Sequence, residues 1–439
     1  MAALLAQQDR SRPLWLVRVV LLALAAGTLM LLGTGPSIAA SPAAAGPAAP
    51  QADALTGNAA VQSSDDATGI RSRVFASAKS KKFSRVAVGG AHTCAIEKSG
   101  QVRCWGAKKW TQTGDPKAGY NTTKPVKVAG LPKLKSMSAG FRHNCGLTKD
   151  GRVFCWGENS SGELGAGAGS SAGCPVDTGC AKTSAKAVAV NLAQPTAVAA
   201  GTSFSCAISQ GQQVLCWGRN EMGQLGNGTT TSRPSPVATP ITGGASQLAL
   251  GDEHACVLLP NGEVRCWGAN YYGQLGSGLK SFRSLEPVAV TLPAAASSIT
   301  AGLRHTCAQL TTGEVFCWGD NRVGQLGDGS KTARPAPTKI SVSGVRALAA
   351  GGRNTCVINT SKKLKCWGDN GAGQLGLGNT KKKSGKKTVK KLASVSHTSI
   401  NYAHVCAVSK GVVKCWGNNS HLQLGDRTSK NRYTPVKVK

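Results

Sequence analysis

Acidic side chains are scarce in this 439-residue chain, with 20 Asp and Glu against 52 Lys and Arg. They are scattered among turn-like segments and supply no paired carboxylates for general acid–base work. Also missing are a Gly-x-Ser-x-Gly elbow, a His-Glu-x-x-His helix, a phosphate loop and the ligand spacing of a zinc site. The sequence therefore predicts a protein that is not an enzyme, with no cofactor, no metal and no small-molecule substrate. Methionine (4) and aromatic residues (5%) are few, and long segments of helical period are absent, while glycine reaches 55. That balance excludes a helical bundle and favours many short strands joined by tight turns.

Long apolar runs are missing too, with one short exception. Arg10, Arg12 and Arg18 precede the uncharged stretch Val19 to Leu32, which Gly33-Thr34-Gly35-Pro36 breaks before the small residues Ser37-Ile38-Ala39-Ala40. A basic segment, a short apolar run and a small-residue cleavage site make residues 1–40 an export signal. If Leu14 to Val17 extend the run towards the ~20 residues of a spanning helix, the segment is an uncleaved anchor instead. Both readings place the rest of the chain outside the cell, secreted or on its surface. Residues 41–82, rich in Ala, Pro, Ser and Gly, read as a disordered tether.

What the chain has in quantity is a repeat. Cys-Trp-Gly recurs with its tryptophan at Trp105, Trp156, Trp217, Trp267, Trp318, Trp367 and Trp416, at intervals of 51, 61, 50, 51, 49 and 49 residues. A period near 50 signals stacked units whose neighbours complete one another's core. The fourth unit shows the plan: a small-residue strand (Leu248-Ala249-Leu250-Gly251), a second strand from His254, an Asn261-Gly262 turn, a third strand ending in Cys266-Trp267-Gly268, then a loop and an outer strand around Glu286-Pro287-Val288-Ala289-Val290. Four short strands in each of seven units predict an all-β fold, a seven-bladed β-propeller over residues 83–439, with the small-residue strands innermost.

The cysteines check the hairpin independently. Cys94 and Cys104, Cys145 and Cys155, Cys206 and Cys216, Cys256 and Cys266, Cys307 and Cys317, and Cys356 and Cys366 each lie ten apart. That spacing sets the two members of a pair opposite each other across a three-residue turn. Cys406 and Cys415 lie nine apart across Lys410-Gly411, a turn one residue shorter. Opposed cysteines in an oxidising compartment predict seven intra-blade disulfides, with paired free thiols as the alternative. Cys174 and Cys180, in the insertion of the second unit, are expected to bridge each other.

The Asn three residues after most of the tryptophans suits a tight turn, and Leu225, Leu275, Leu326, Leu375 and Leu424 are expected to tuck between blades. The first unit, Trp105-Gly106-Ala107-Lys108-Lys109-Trp110, lacks that Asn and the Gln-Leu-Gly. His92, His143, His254, His305 and His404 share a slot held by Phe204 and Asn354 in the other two units. A residue replaceable by Phe within one molecule is structural.

Gly-x-x-His-x-Cys-Ala followed by Gly-x-Val-x-Cys-Trp-Gly-x-Asn-x-x-Gly-Gln-Leu-Gly resembles the repeat of the regulator of chromosome condensation family. The resemblance covers residues 83–439 and implies a seven-bladed propeller closed by the chain ends. Since the domain begins with an inner strand at Ser84 and ends with an outer one at Thr434 to Val438, the last strand is expected to complete the first blade. The family's eukaryotic founder is a nuclear guanine-nucleotide exchange factor that binds chromatin, but its exchange residues match nothing here. Secreted bacterial relatives implied by the resemblance include propeller inhibitors of β-lactamases, which use loops on one face.

Two binding regions follow. The variable residues of the Asn-x-x-Gly turns should emerge on one face, where Trp110, Met222, Tyr271, Tyr272 and Arg322 have the chemistry of interface anchors. The leading expectation is an exported monomer that binds a protein partner there. The second region is Lys381, Lys382, Lys383, Lys386, Lys387, Lys390 and Lys391, which with a formal charge of +32 would suit a wall polymer, an anionic membrane surface or DNA.

Overall fold

Seven four-stranded antiparallel sheets make up the computed structural model, which describes residues 82–117, 119–167, 182–381 and 383–439. The expected signal, most of the tether and Lys382 lie outside the described residues. In blade four the strands run Gln247–Leu250, His254–Leu258, Val264–Ala269 and Arg283–Val290, from the axis outward. The inner strands of all seven blades line an axial channel of about 320 Å³. Their small side chains, such as Ala199-Ala200-Gly201 and Ala349-Ala350-Gly351, let the blades converge.

The cysteines stand in direct cross-strand register. Cys94 faces Cys104, Cys145 faces Cys155, Cys206 faces Cys216 and Cys256 faces Cys266. Cys307 likewise faces Cys317, Cys356 faces Cys366 and Cys406 faces Cys415. A disulfide joins each of these seven pairs, with Cα atoms 4.0–4.1 Å apart. The spacing of ten thus reports disulfides rather than paired free thiols, and no free cysteine is found among the described residues. The further bridge expected between Cys174 and Cys180 lies outside the described residues.

The shortened turn of blade seven keeps Cys406 opposite Cys415 because Lys410 (φ 52°) and Gly411 (φ 77°) close a two-residue type I′ turn. Immediately after each third-strand cysteine, the pairing with the outer strand slips at the tryptophan. This bulge swings the indole out of its own sheet and towards the preceding blade. The glycine that follows is required: Gly268 has φ 95°, and a Cβ there would lie 2.3 Å from the Glu253 carbonyl oxygen.

Each indole Nε1–H then donates, at 2.8–3.2 Å, to the backbone carbonyl one blade back at the glutamine position of Gly-Gln-Leu-Gly, held by Glu163 in blade two and by Gln112 in the divergent first unit. The leucine beside that glutamine packs on the same ring, as Leu275 does in the cluster containing Trp318, Cys256 and Cys266. Trp105 bonds to Gln423 in the same way, so the link also spans the seam between blades one and seven. The expectation that the last strand completes the first blade is corrected here. The outer strand Arg432–Lys437 pairs within blade seven, and every blade is four consecutive strands. Because the domain starts on an inner strand and stops on an outer one, no blade lacks a strand, and the seam closes by packing, with Val436 and Val438 against Val86, Val88 and Trp105.

The first unit also keeps the link. Gln112 receives the Trp156 Nε1–H, and its side chain accepts the Trp110 amide as the glutamine side chains do elsewhere. Lys108 stands where other blades have Asn and pairs with Asp115 at 3.0 Å. The shared slot of the histidines now has a cause. Each His Nε2–H meets a polar side chain on the next blade at 2.9–3.0 Å: Asn144, Ser205, Thr306, Thr355 or Thr93. Those side chains in turn donate to the glutamine-position carbonyl that the tryptophan also uses. Where the next blade offers Ala255, the slot holds Phe204, packed in one apolar cluster with it. Where it offers Val405, the slot holds Asn354, which donates to the Trp367 and Asp369 carbonyls.

A double-mutant cycle tests that coupling. Thr306→Ala should cost about 1–3 kcal/mol by stranding the buried His254 N–H. His254→Phe with Thr306→Ala, which copies the pairing of Phe204 with Ala255, should cost less than the two single changes summed in urea denaturation.

Burial also holds His92, His143, His254, His305 and His404 at about 3 to 4, below the ordinary 6.5. The unfolded chain thus binds more protons between pH 6.5 and 4, so stability falls as pH drops through that window. Glu163, which replaces the glutamine of blade two, has the opposite sign: burial pushes it up to about 7 from 4.5. Its contribution is lost as pH rises from 4.5 through 7. Glu163→Gln should therefore raise the unfolding free energy by about 1–3 kcal/mol at pH 8 and change it little at pH 4.5, as read from urea midpoints at the two pH values.

Candidate functional site: the loop face

Two kinds of connection emerge at the end of the propeller where the tryptophan strands finish. They are the turns between inner and second strands, and the long loops between third and outer strands; we call this end the loop face. The opposite end, the hairpin face, carries the turns between second and third strands and the links from blade to blade.

The long loops are built alike. In blade four the Asn270 side-chain oxygen accepts the Leu275 amide at 3.1 Å and its Nδ2 donates to the Leu279 carbonyl at 3.0 Å. The asparagine ties down both arms of the loop. The residues between it and the glycine are left for other uses, the first more exposed and the second half-buried, as with Tyr271 and Tyr272.

All five sequence-selected residues lie on this face, in three groups. Tyr272 carries the Arg322 guanidinium 4.3 Å from its ring centroid, with Arg304 at 5.5 Å. Arg322 is fixed by two bonds to Asp320, at 2.9 and 3.0 Å. Burial pushes the Asp320 carboxyl up, but the Arg322 side chain and amide outweigh it and hold the group below its usual range. Tyr271 places its hydroxyl 4.0 Å from the Met222 sulfur and packs edge-on against Phe282, with centroids 5.1 Å apart. Trp110 lies away from these, under the Arg142 guanidinium at 4.9 Å.

Sequence reasoning missed several members. Arg142 and Arg304, like Phe141 and Tyr402, belong to the inner turns; Phe141 and Tyr402 stack with centroids 4.6 Å apart. A small depression of about 190 Å³ beside them is lined by Asp252, Arg304, Asp320, Arg353 and Tyr402. The signal for these turns was the variable pair between Gly and His, as in Gly140-Phe141-Arg142-His143. Leu279 and Phe282 close the long loop of blade four, and Arg283 stacks on Phe282 at 5.0 Å. The exposed large apolar side chains among the described residues are Tyr120, Tyr271, Leu279, Phe282 and Tyr433. Every one sits in a long loop or at the loop-face end of an outer strand.

The lysine run does not form one patch. Lys381 precedes the outer strand of blade six, Lys383–Thr388, at the loop face. Lys386 is half-buried and donates to the Ser341 carbonyl at 3.1 Å. Lys390 and Lys391 emerge on the hairpin face, past the far end of the strand. Among the described residues no group of three or more His, Cys, Asp or Glu side chains is placed to hold a metal ion.

Comparison with known proteins agrees with this architecture. The family model of the RCC1-like domain matches residues 182–439, and regulator of chromosome condensation (RCC1) repeats match 83–107, 134–163 and 150–208. The human E3 ubiquitin-protein ligase HERC2 is 27% identical over 274 residues, 61% of this chain and 4% of that protein. The ultraviolet-B receptor UVR8 of Arabidopsis thaliana is 29% identical over 260 residues, 58% of this chain and 57% of that receptor. The chain thus spans less than two thirds of these relatives' length. Among solved structures, yeast RCC1 (Prp20) bound to Kap60 superposes with a TM-score of 0.68 at 20% identity, covering 77% of this chain and 83% of that one. Human WBSCR16 gives 0.68 at 21%, covering 75% and 88%.

Proposed function

The chain belongs to the RCC1-like domain family, and from that premise we propose that it is an exported, non-enzymatic binding protein that holds a protein partner on its loop face. The observation that carries this reading is the segregation of exposed apolar side chains. Leu279 (73% exposed), Phe282 (55%) and Tyr271 (45%) cluster with Met222 on blades three and four. Arg322 and Arg304 flank them on the adjoining blade. Stacked aromatic, Met and Arg side chains at an exposed surface have the composition of an interface core, and rigid loops keep the ordering cost of binding low. Two structures of one solved relative support binding as the mode: yeast RCC1 (Prp20) is solved with Kap60, and the same protein is described by its binding to Gsp1p and histones. Both likenesses are of fold alone, so neither partner is carried over, and neither is exchange activity.

Export is supported by the basic-apolar-small order of residues 1–40 and by seven disulfides, which persist where thiols are oxidised. No helix among the described residues is long and apolar enough to cross a membrane.

The test begins with affinity capture by the wild-type protein and compares the captured partner's affinity for a variant carrying Tyr271→Ala and Phe282→Ala. Loss of two central anchors should weaken binding by about 30-fold or more. Unchanged affinity, with thermal stability intact, would place the site elsewhere.

A further inference from the structure

On the hairpin face, the links and turns of blades six, seven and one bring together Lys362, Lys390, Lys391, Lys410, Lys82 and Lys98, all exposed. These residues come from five separate stretches of sequence, and backbone bonds hold those stretches side by side. The Val395 amide donates to the Lys362 carbonyl at 2.9 Å and the Lys410 amide to Ser394 at 3.4 Å. Across the seam, Phe83 donates to Gly411 at 2.9 Å and Lys98 to Lys82 at 2.8 Å. The result is one arc of ammonium groups over the junction of the chain's two ends. Among the described residues none of the six forms an ion pair; the neighbouring Glu97 is engaged by Arg103 at 2.6 Å.

The other half of the face differs. The blade links 191–196, 239–246, 291–295 and 341–344 contain no Lys or Arg, and the turns of blades four and five carry Glu263 and Glu314. Lys133, Lys149 and Arg152 continue the charge onto blade two, where Arg152 is paired with Asp150, and it thins out over blades three to five, so the charge is not spread evenly round the face.

Backbone conformation is a second, independent observation. Lys362 (φ 57°), Lys391 (φ 57°) and Lys410 (φ 52°) all adopt the left-handed region. The position of Lys362 is Gly100, Gly151, Gly262 and Gly313 in four sister blades and Gln212 (φ 58°) in blade three, and that of Lys391 is Gly130 after blade one, all with positive φ. Gln212 shows that this turn tolerates a long side chain, but three of the arc's six residues, all lysines, stand in this sparsely populated region, and their concentration there supports use of the side chains.

We propose that this arc is a binding track for a linear phosphate-bearing polymer. Lysine ammonium groups act as point charges towards phosphate, without the geometric demand of arginine forks. No exposed large apolar side chain accompanies them on this face, since all such side chains among the described residues lie at the other end. That leaves nothing to insert into a membrane and nothing on which a base could stack, so recognition is of the charged backbone alone. The track is distinct from the run Lys381 to Lys391, of which it uses only Lys390 and Lys391. It is also independent of the loop-face reading, because the two faces share no residue.

The experiment measures binding of long-chain inorganic polyphosphate to the full chain across a salt series. The first variant combines Lys362→Gly, Lys391→Gly and Lys410→Asn, which relieves the left-handed backbone while removing three charges. It should keep or raise the thermal midpoint, weaken binding at least about tenfold at 0.1 M salt, and reduce the slope of log K against log salt by about 2 to 3. The second variant, with Lys381→Gln and Lys387→Gln, removes charge from the linear run outside the arc and should weaken binding less than threefold. Equal losses in the two variants would overturn the proposal, because net charge alone would then explain binding. So would tighter binding to phosphatidylglycerol vesicles than to polyphosphate, which would make the arc a membrane contact.

Discussion

The bond from each indole N–H to the glutamine-position carbonyl one blade back is the constraint on which the rest of the structure depends. A twisted four-stranded sheet has two apolar faces and cannot stand alone, so each blade must be fixed to the next at a set angle. The tryptophan does this twice over, by filling the interblade space with its ring and by donating its one polar hydrogen across the gap. The bulge and the positive-φ glycine after it put the ring there, and the disulfide one residue earlier anchors the strand that carries it. In five of the seven interfaces the carbonyl is shared with a hydroxyl or amide from the blade that bears the tryptophan, and this group meets the buried histidine. Sequence features that look like separate motifs are therefore parts of one hydrogen-bonded joint, repeated around a ring.

Much of this was legible in the sequence because the repeat supplies seven readings of each position. The deletion in the turn between Cys406 and Cys415 revealed the register, and Phe204 in a histidine slot ruled out a ligand role. Seam closure was misjudged. Pairing the last strand with the first blade or with its own uses the same strand count, and only the order of inner and outer strands at the two ends distinguishes them. The role of Gln112 was also hidden, since Thr111 and Thr113 replace the glycine and leucine that mark the motif elsewhere. Thr111 nonetheless adopts the same left-handed turn, with φ 56°.

The proposed binding residues were readable only where they fill variable positions inside the repeat, as Tyr271, Tyr272 and Arg322 do. Phe282 and Leu279 obey no periodic rule, and although Arg142 and Tyr402 fill the recurring pair before the histidine slot, only folding gathers them with the long loops. The lysine run shows the converse. It is contiguous in sequence, yet a six-residue strand carries it about 20 Å from one end of the propeller to the other. The cationic arc forms instead from residues hundreds of positions apart, at the seam where the two ends of the domain meet. The two proposed surfaces thus lie in the loops and turns that the repeated joint leaves free to vary, apolar and stacked on one face, cationic on the other.

The joint itself can be measured most directly by hydrogen exchange of the indole N–H groups in protein labelled with ¹⁵N-tryptophan. Seven indoles, those of Trp105, Trp156, Trp217, Trp267, Trp318, Trp367 and Trp416, should be strongly protected, with Trp105 at the seam as slow as the rest. Rapid exchange at Trp105 with protection at the other six would contradict the account, because the ring would then be open where the chain's ends meet.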